Sequence, residues 1–299
     1  MTSLPDDFQI NYDGEIAAFW QQQVAQLPRG ARILDVCTGN GAVALLLAQA
    51  SAAAGTGSSI TAIDAAEIRP DLIKRRFPQL AMLIKRIRFI GARRFETLAV
   101  TPASLDLITS QYGIEYCEPA PAARKCFELL KPGGRLALIC HAPDSAMIET
   151  MQTELAGYRR IDETGLIELF RGRFSGTLNA TVFRDRLSQL RDQLSASGPL
   201  AQLPLLQYAI ALIGRALLIS DRQLELERSA AMQAVEQLLD GRERLRQMLE
   251  VNQRLHDSDD WSEVFVEAGL RRLDRGALRY RGTHPVGTWY RFERPATEG

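Results

Sequence analysis

The segment 31–48, ARILDVCTGNGAVALLLA, limits what this chain can fold into more than any other stretch. Residues 31–36 form a short apolar run carrying one acid, the pattern of a buried strand. Gly39 and Gly41 permit a tight turn with close backbone approach, and the apolar run after them predicts a helix. A strand, a glycine turn and a helix amino terminus together make a nucleotide-cofactor site. Which cofactor such a site takes depends on Asp35, the acid at the strand end.

Gly39-Asn-Gly-Ala-Val-Ala44 fits the dinucleotide pattern G-x-G-x-x-G/A, and Asp64 follows at a distance suited to a ribose hydroxyl. Charge separates the candidates. A dinucleotide brings an anionic pyrophosphate to the helix amino terminus, where the Asp35 carboxylate would repel it. S-adenosylmethionine brings a sulfonium and an ammonium, which the same carboxylate attracts. The order Asp35-Val-Cys37-Thr-Gly39-Asn-Gly41 resembles the first motif of the class I S-adenosylmethionine-dependent methyltransferases, with Cys37 where that family usually has its first glycine.

Elsewhere, apolar periodicity predicts a helix over 13–27, with Ile16, Phe19, Trp20, Val24 and Leu27 on one side. Strands follow at 59–63, ending in Asp64, then near 87–90, at 104–109 and at 135–140. Helices at 70–77 and 120–130 lie between them, and Lys131-Pro-Gly-Gly134 has the composition of a tight turn. This alternation implies α/β architecture with a parallel, doubly wound sheet. Beyond Ala142 the pattern changes, and 144–258 read as largely helical, notably 187–194, 203–219 and the charged 221–255. Residues 165–181, rich in Gly, Thr and aromatics, read as a loop or small hairpin. A short helix at 261–268, a strand from Gly269 and a last strand at 288–293 complete the chain.

The later elements extend the resemblance. Lys131-Pro-Gly-Gly-Arg-Leu-Ala-Leu138 resembles the turn and fifth strand of the class I methyltransferases. Residues 104–116 are similar to their fourth strand and following loop, particularly in the small-molecule branch that includes quinone C-methyltransferases. The resemblance implies a Rossmann-like, doubly wound sheet of seven strands, the last antiparallel, with a large helical insertion between strands five and six. The expected division is a cofactor-binding core over 1–143, a helical lid or dimerisation insertion over 144–258, and completion of the core sheet over 259–299.

The same resemblance assigns the site. Backbone around Cys37, Gly39 and Gly41 would hold the methionine part of S-adenosylmethionine, with Asp35 beside it. Asp64 would accept two hydrogen bonds from the ribose, although it also suits a helix cap before Ala65. Ala65, Ala92, Arg93, Ser110 and Gln111 complete the cofactor edge. The family commonly carries an acid after strand three, facing the adenine amino group. Ala92 stands there instead, which leaves backbone atoms to read the base and keeps open a protein that binds the cofactor without methylating. His141, directly after strand five, is the candidate general base. Tyr112, Glu115 and Tyr116 lie on the loop where the acceptor enters, with Tyr112 and Glu115 grouped with His141 as catalytic candidates and Tyr12 closing the site from the amino-terminal arm.

Composition narrows the partners. Net charge is zero, so no global basic signature marks a nucleic-acid binder, and the basic run over 69–94 reads as a solvated face. No D/N-P-P-Y/F run follows strand four, which sets an RNA methyltransferase behind a small-molecule one. No His, Cys, Asp or Glu cluster has metal-ligand spacing, so the expectation is a metal-free transfer. The four cysteines form no C-x-x-C pair, and the acidic amino terminus is unlike a signal peptide, which together predict a reduced, cytoplasmic protein. The apolar stretch 205–219 is short of the roughly 18–20 residues of a membrane span. It reads as a buried or dimer-forming helix, with peripheral membrane contact as the second reading. The expected acceptor is a small hydrophobic or aromatic molecule, and the helical insertion is the expected homodimer surface.

Overall fold

A computed structural model describes residues 11–76, 78–282 and 284–296. Most of the acidic amino terminus and Phe77, the expected end of a helix, lie outside the described residues. The chain divides into two compact units, one of residues 1–142 with 257–299 and one of residues 143–256.

The first unit opens with α1 (Gly14–Ala25), β1 (Arg32–Val36), α2 (Ala42–Ala53), β2 (Ser59–Ile63), α3 (Pro70–Arg76), α4 (Ala81–Ile84) and β3 (Ile87–Ile90). It continues with β4 (Leu105–Gln111), α5 (Pro119–Leu129) and β5 (Leu130–Cys140). The second unit carries α6 (Ser145–Thr164), α7 (Leu166–Phe174), α8 (Ala180–Ser195), α9 (Pro204–Leu218), α10 (Asp221–Leu226) and α11 (Arg228–Asp257). The chain then returns to the first unit with α12 (Glu263–Glu267), β6 (Arg271–Tyr280) and β7 (His284–Glu293).

The strands form one sheet in the order β3-β2-β1-β4-β5-β7-β6. The first five pair in parallel. β7 runs antiparallel to both β5 and β6, so it is the reversed strand of the seven. Helices cover both faces, which is why Ile33, Leu34 and Val36 are all buried and the strand shows no polar alternation. α1 and α2 pack on one face around Trp20, Leu45 and Leu47, while α5 and α12 pack together on the other. The buried indole N–H of Trp20 donates to Gln111 Oε1 at 2.8 Å, so burial leaves that donor satisfied.

Two local expectations change. Lys131-Pro-Gly-Gly134 is a bulge inside β5 rather than a turn before it: Leu130 pairs with Leu105, and the register resumes at Arg135 with Leu107. Gly133 N donates to Arg294 O at 2.8 Å and Arg294 N to Gly134 O at 2.9 Å, which ties the bulge to the end of β7. A side chain at Gly134 would meet the Lys131 and Leu105 carbonyls at 2.8 and 2.9 Å, so glycine is required there. Second, the expected loop or hairpin over 165–181 is mostly α7. Gly165, at φ 68°, ends α6 and starts α7 in a left-handed conformation. Leu166, Ile167, Leu169, Phe170 and Phe174 then fall on one buried helical face, and Asn179 caps α8 by accepting from Val182 N at 2.9 Å.

The helical unit has its own core, with Phe170, Phe183, Leu187, Leu206 and Ile213 fully buried. α9 contains most of the apolar stretch noted in the sequence and turns Leu206, Ala209, Ile213 and Ala216 into that core. Among the described residues, no helix is long and apolar enough to cross a membrane.

Candidate cofactor and acceptor site

Parallel strands bring their carboxyl ends to one edge, where open α/β sheets bind ligands. The β1 exit is the most constrained. Cys37, Gly39 and Gly41 lie at φ 55°, 56° and 88°, so three of the five residues between β1 and α2 take the left-handed conformation. Thr38 N donates to Ile63 O and Gly41 N to Thr38 O, both at 2.9 Å, which ties the loop to β2. Asp35 is buried beneath it. Its Oδ2 accepts from Thr38 Oγ1 at 2.5 Å and its Oδ1 from Thr109 Oγ1 at 2.8 Å. Burial pushes this carboxyl up to about 7, against the downward pull of the two hydroxyls and the Ala44 amide. Among the described residues no cationic side chain pairs with it.

Asp64, at the β2 exit, is partly exposed. Its Oδ2 accepts from Gly39 N at 2.7 Å and its Oδ1 from Ala66 N at 2.9 Å. No helix starts at Ala65, so the capping alternative gives way to a turn that binds the glycine loop to the β2 exit. Ala65 lies exposed on that turn. Ala92, after β3, has φ 52°, and its amide donates to Ala66 O at 2.9 Å, while Arg93 N donates to Asp64 O at 2.9 Å. Both amides are engaged, so a base reading by backbone here is left with carbonyl acceptors.

The β4 and β5 exits are closed by side chains. Ser110 is buried; its hydroxyl donates to Val36 O at 2.8 Å and accepts from Ile114 N at 3.0 Å. That geometry makes Ser110 a strut between strands at the expected cofactor edge. Gln111 is held by Trp20, and it also hydrogen-bonds the Tyr12 phenol, which burial pushes up. Tyr12 thus lies beside Gln111 at the end of β4. Tyr112 donates its hydroxyl to Val286 O at 2.5 Å, and burial, with Tyr12 and Glu115 nearby, pushes its phenol well up. With its hydroxyl engaged by Val286 O, this phenol forms a wall beside His141.

Glu115 sits in a 3-10 turn, Ile114–Tyr116, and is fully buried. One oxygen, Oε1, accepts from His141 N at 3.0 Å and lies 2.7 Å from His141 Nδ1. Cys140 hydrogen-bonds the same carboxyl, and burial drives its thiol well up. The His141 side chain keeps 25% of its surface exposed. Its ring lies against Tyr112, with centroids 4.6 Å apart, and Tyr116 meets it edge-on at 6.4 Å. Burial and Glu115 push the Tyr116 phenol up to about 12. When Nδ1 donates to Glu115, Nε2 carries the lone pair of a neutral imidazole.

Four residues that sequence reasoning missed hold this edge together. Thr38 and Thr109 bind Asp35, and pairing of Asp35 with Thr109 across β1 and β4 is the signal that would have found the second. Gly113 lets the acceptor loop nest on the glycine loop, because a side chain there would collide with Cys37 Cβ. Cys117 Sγ rests 3.7 Å from Cys37 Sγ at the same junction.

A family model described as a methyltransferase domain matches residues 8–178 of the chain. A 2-phytyl-1,4-naphtoquinone methyltransferase of Thermosynechococcus vestitus is 30% identical over 143 residues, 44% of this chain and 58% of that protein. A ubiquinone biosynthesis O-methyltransferase of Xylella fastidiosa is 39% identical over 112 residues, 36% of this chain and 40% of that protein. The chain thus spans about half the length of these curated relatives. Among solved structures, a SAM-dependent O-methyltransferase of Thermotoga maritima overlays with a TM-score of 0.35 at 24% identity, covering 48% of this chain and 49% of that one.

Proposed function

Because the chain belongs to the methyltransferase-domain family, we propose that it transfers a methyl group from S-adenosylmethionine to a small hydrophobic or aromatic acceptor. The observation that carries this reading is the pair of carboxylates around the glycine loop. Asp35 is buried and lacks a cationic partner among the described residues, and Asp64 stands partly exposed beside Gly39. A cationic ligand fits such a donor set and a pyrophosphate does not. In this reading the backbone around Cys37, Gly39 and Gly41 holds the methionine part, Asp64 the ribose, and the turns at Ala65, Ala92 and Arg93 the base. Bound there, the cofactor supplies an electrophilic methyl on a sulfonium.

The chain's own contribution is placement and proton control. His141 Nε2 takes a proton from the acceptor, while Glu115 fixes the ring tautomer and stabilises the imidazolium. Tyr112 and Tyr116 wall the imidazole and limit water beside it. The 2-phytyl-1,4-naphtoquinone in the name of the Thermosynechococcus vestitus relative supports a hydrophobic ring-bearing acceptor here.

Calorimetric titration with S-adenosylmethionine, its demethylated product and NAD(H) tests the cofactor. We expect micromolar binding of the first two, lost in Asp64→Ala; binding of NAD(H) alone would sink the reading. Incubation of labelled cofactor with hydroxylated quinones and phenols, His141→Ala serving as control, tests transfer. Cofactor binding with no labelled product from any acceptor would leave a binding protein in place of an enzyme.

A further inference from the structure

We propose that the helical unit holds a small-molecule site of its own, which takes a neutral, mainly apolar ligand. This site lies between α7, α9, α10 and α11 and does not depend on the methyl-transfer reading. Its cavity measures about 390 Å³. It is a cleft open to solvent beside Tyr208 and Arg215, and its volume falls in the range of ligand pockets, which begin near 300 Å³.

The sequence makes this space by choosing alanine. On α11, Val235 and Leu238 are buried in the unit's core, whereas Ala231 and Ala234 line the cavity and leave it open. Opposite them stands Leu212 of α9. Phe170, Ala216 and Leu224, at 0%, 3% and 2% exposure, form a packed floor. A leucine at 231 or 234 would fill the opening, so the void follows from residue choice and not from poor packing of the surrounding helices.

Charge selects the occupant. Of the described lining residues, Arg215 and Glu227 are charged, and they neutralise each other: Arg215 Nε and Nη2 donate to Glu227 Oε2 at 3.1 and 2.9 Å. An anion would have to compete with Glu227, and a cation with Arg215. The wall therefore favours a neutral molecule. Tyr208, also lining the cavity and 44% exposed, offers a phenol to a hydroxyl or carbonyl at one end of the ligand. The ligand class is a neutral alkyl, terpenoid or aromatic alcohol or ketone.

Fluorescence titration of the full chain with the neutral probe N-phenyl-1-naphthylamine tests this. We expect saturable binding at one site per chain, displaced by 1-decanol at a concentration at least tenfold below that needed with decanoate or decylamine. The double variant Ala231→Leu/Ala234→Leu should weaken probe binding at least tenfold while retaining circular dichroism and melting temperature. No saturable binding, equal displacement by the ions, or unchanged binding in the folded double variant would overturn the proposal. Should the variant fail to fold, hydrogen exchange on the unmodified chain decides. Saturating decanol should protect α7, α9, α10 and the first half of α11, and protection confined to other elements, or none at all, would overturn the site.

Discussion

At the β1 and β2 exits the backbone does the holding, through left-handed turn residues and carboxylates that bind amides and hydroxyls. At the β4 and β5 exits the side chains hold one another instead: Ser110 to β1, Gln111 to Trp20, Tyr112 to Val286 and Glu115 to His141. The first half is negative and lacks a cationic counterpart to Asp35 among the described residues. The second is closed on itself and presents one face of an imidazole. Two halves built so differently should fail differently. Changes in the first half should move ligand affinity, and changes in the second should move the rate at saturation.

The sharpest way to break that division is at His141. On the proposed reading, His141→Ala lowers kcat about 10²–10⁴-fold, the usual contribution of a general base, and leaves the cofactor Kd within twofold. Glu115→Gln should lower kcat less, about tenfold to a hundredfold, because the imidazole loses the carboxylate that orients its ring. A residue that merely braced the fold would lower stability and leave kcat of the folded protein unchanged. A tenfold loss of cofactor affinity in His141→Ala would show that the two halves are not separable.

Asp35 tests the other half through pH. Its carboxyl sits at about 7 against an ordinary 3.8 because burial disfavours the charged form. Below pH 4 both folded and unfolded chains carry the proton, and its stabilising contribution is fully present. As pH rises from 4 to 7 the unfolded chain ionises first, so stability falls, by about 4 kcal/mol at most, and levels off above 7. Urea unfolding across this range should show the slope, and Asp35→Asn should lose it. A cationic cofactor reverses the balance by favouring the carboxylate. Titrations in buffers of different ionisation enthalpy should therefore register proton release near pH 6–7 in the unmodified protein and none in Asp35→Asn. Asp64 should act more weakly and through affinity alone. Asp64→Asn is expected to raise the cofactor Kd about tenfold to a hundredfold, the scale of charge-assisted hydrogen bonds, with kcat at saturation unchanged.

What the sequence discloses follows the same division. The glycine loop, Asp35 and Asp64 are legible because strand ends and turn residues are local signals. Alternation with helices implies a parallel, doubly wound sheet, and the family resemblance implies its seven strands with the last antiparallel. The contacts of the second half are not local. Trp20 meets Gln111 from 91 residues away, and Thr109 reaches Asp35 across 74. Glu115 and His141 were each visible as candidates, but their pairing depends on how the 3-10 turn folds back on the end of β5. Composition also misleads where tertiary contacts take over. The glycines and threonines near α7 read as a loop, although its buried apolar face fixes a helix. The Gly133–Gly134 pair read as a turn until its bonds to Arg294 drew it into the sheet.

The two halves touch at Cys37 and Gly113, and the smallest prediction concerns that contact. Cys37 holds φ 55° with a side chain, a conformation that costs about 1–2 kcal/mol outside glycine. Cys37→Gly removes this strain, but it also frees the unfolded chain and gives up the packing against Cys117. These effects oppose each other, so stability should change by less than about 1 kcal/mol, whereas a β-branched Cys37→Val should cost more than about 2 kcal/mol. Gly113→Ala alone should be destabilising, since its new methyl collides with Cys37 Cβ. In the Cys37→Gly background the collision disappears, and only closer packing on the Cys37 carbonyl and Ser110 Oγ, at 3.1 and 3.2 Å, remains. A double-mutant cycle by urea unfolding should then return a favourable coupling of about 1–2 kcal/mol. Additive effects would mean that the loops can part without cost. In that case the cofactor half and the acceptor half of the edge are held in register by the sheet beneath them, not by this junction.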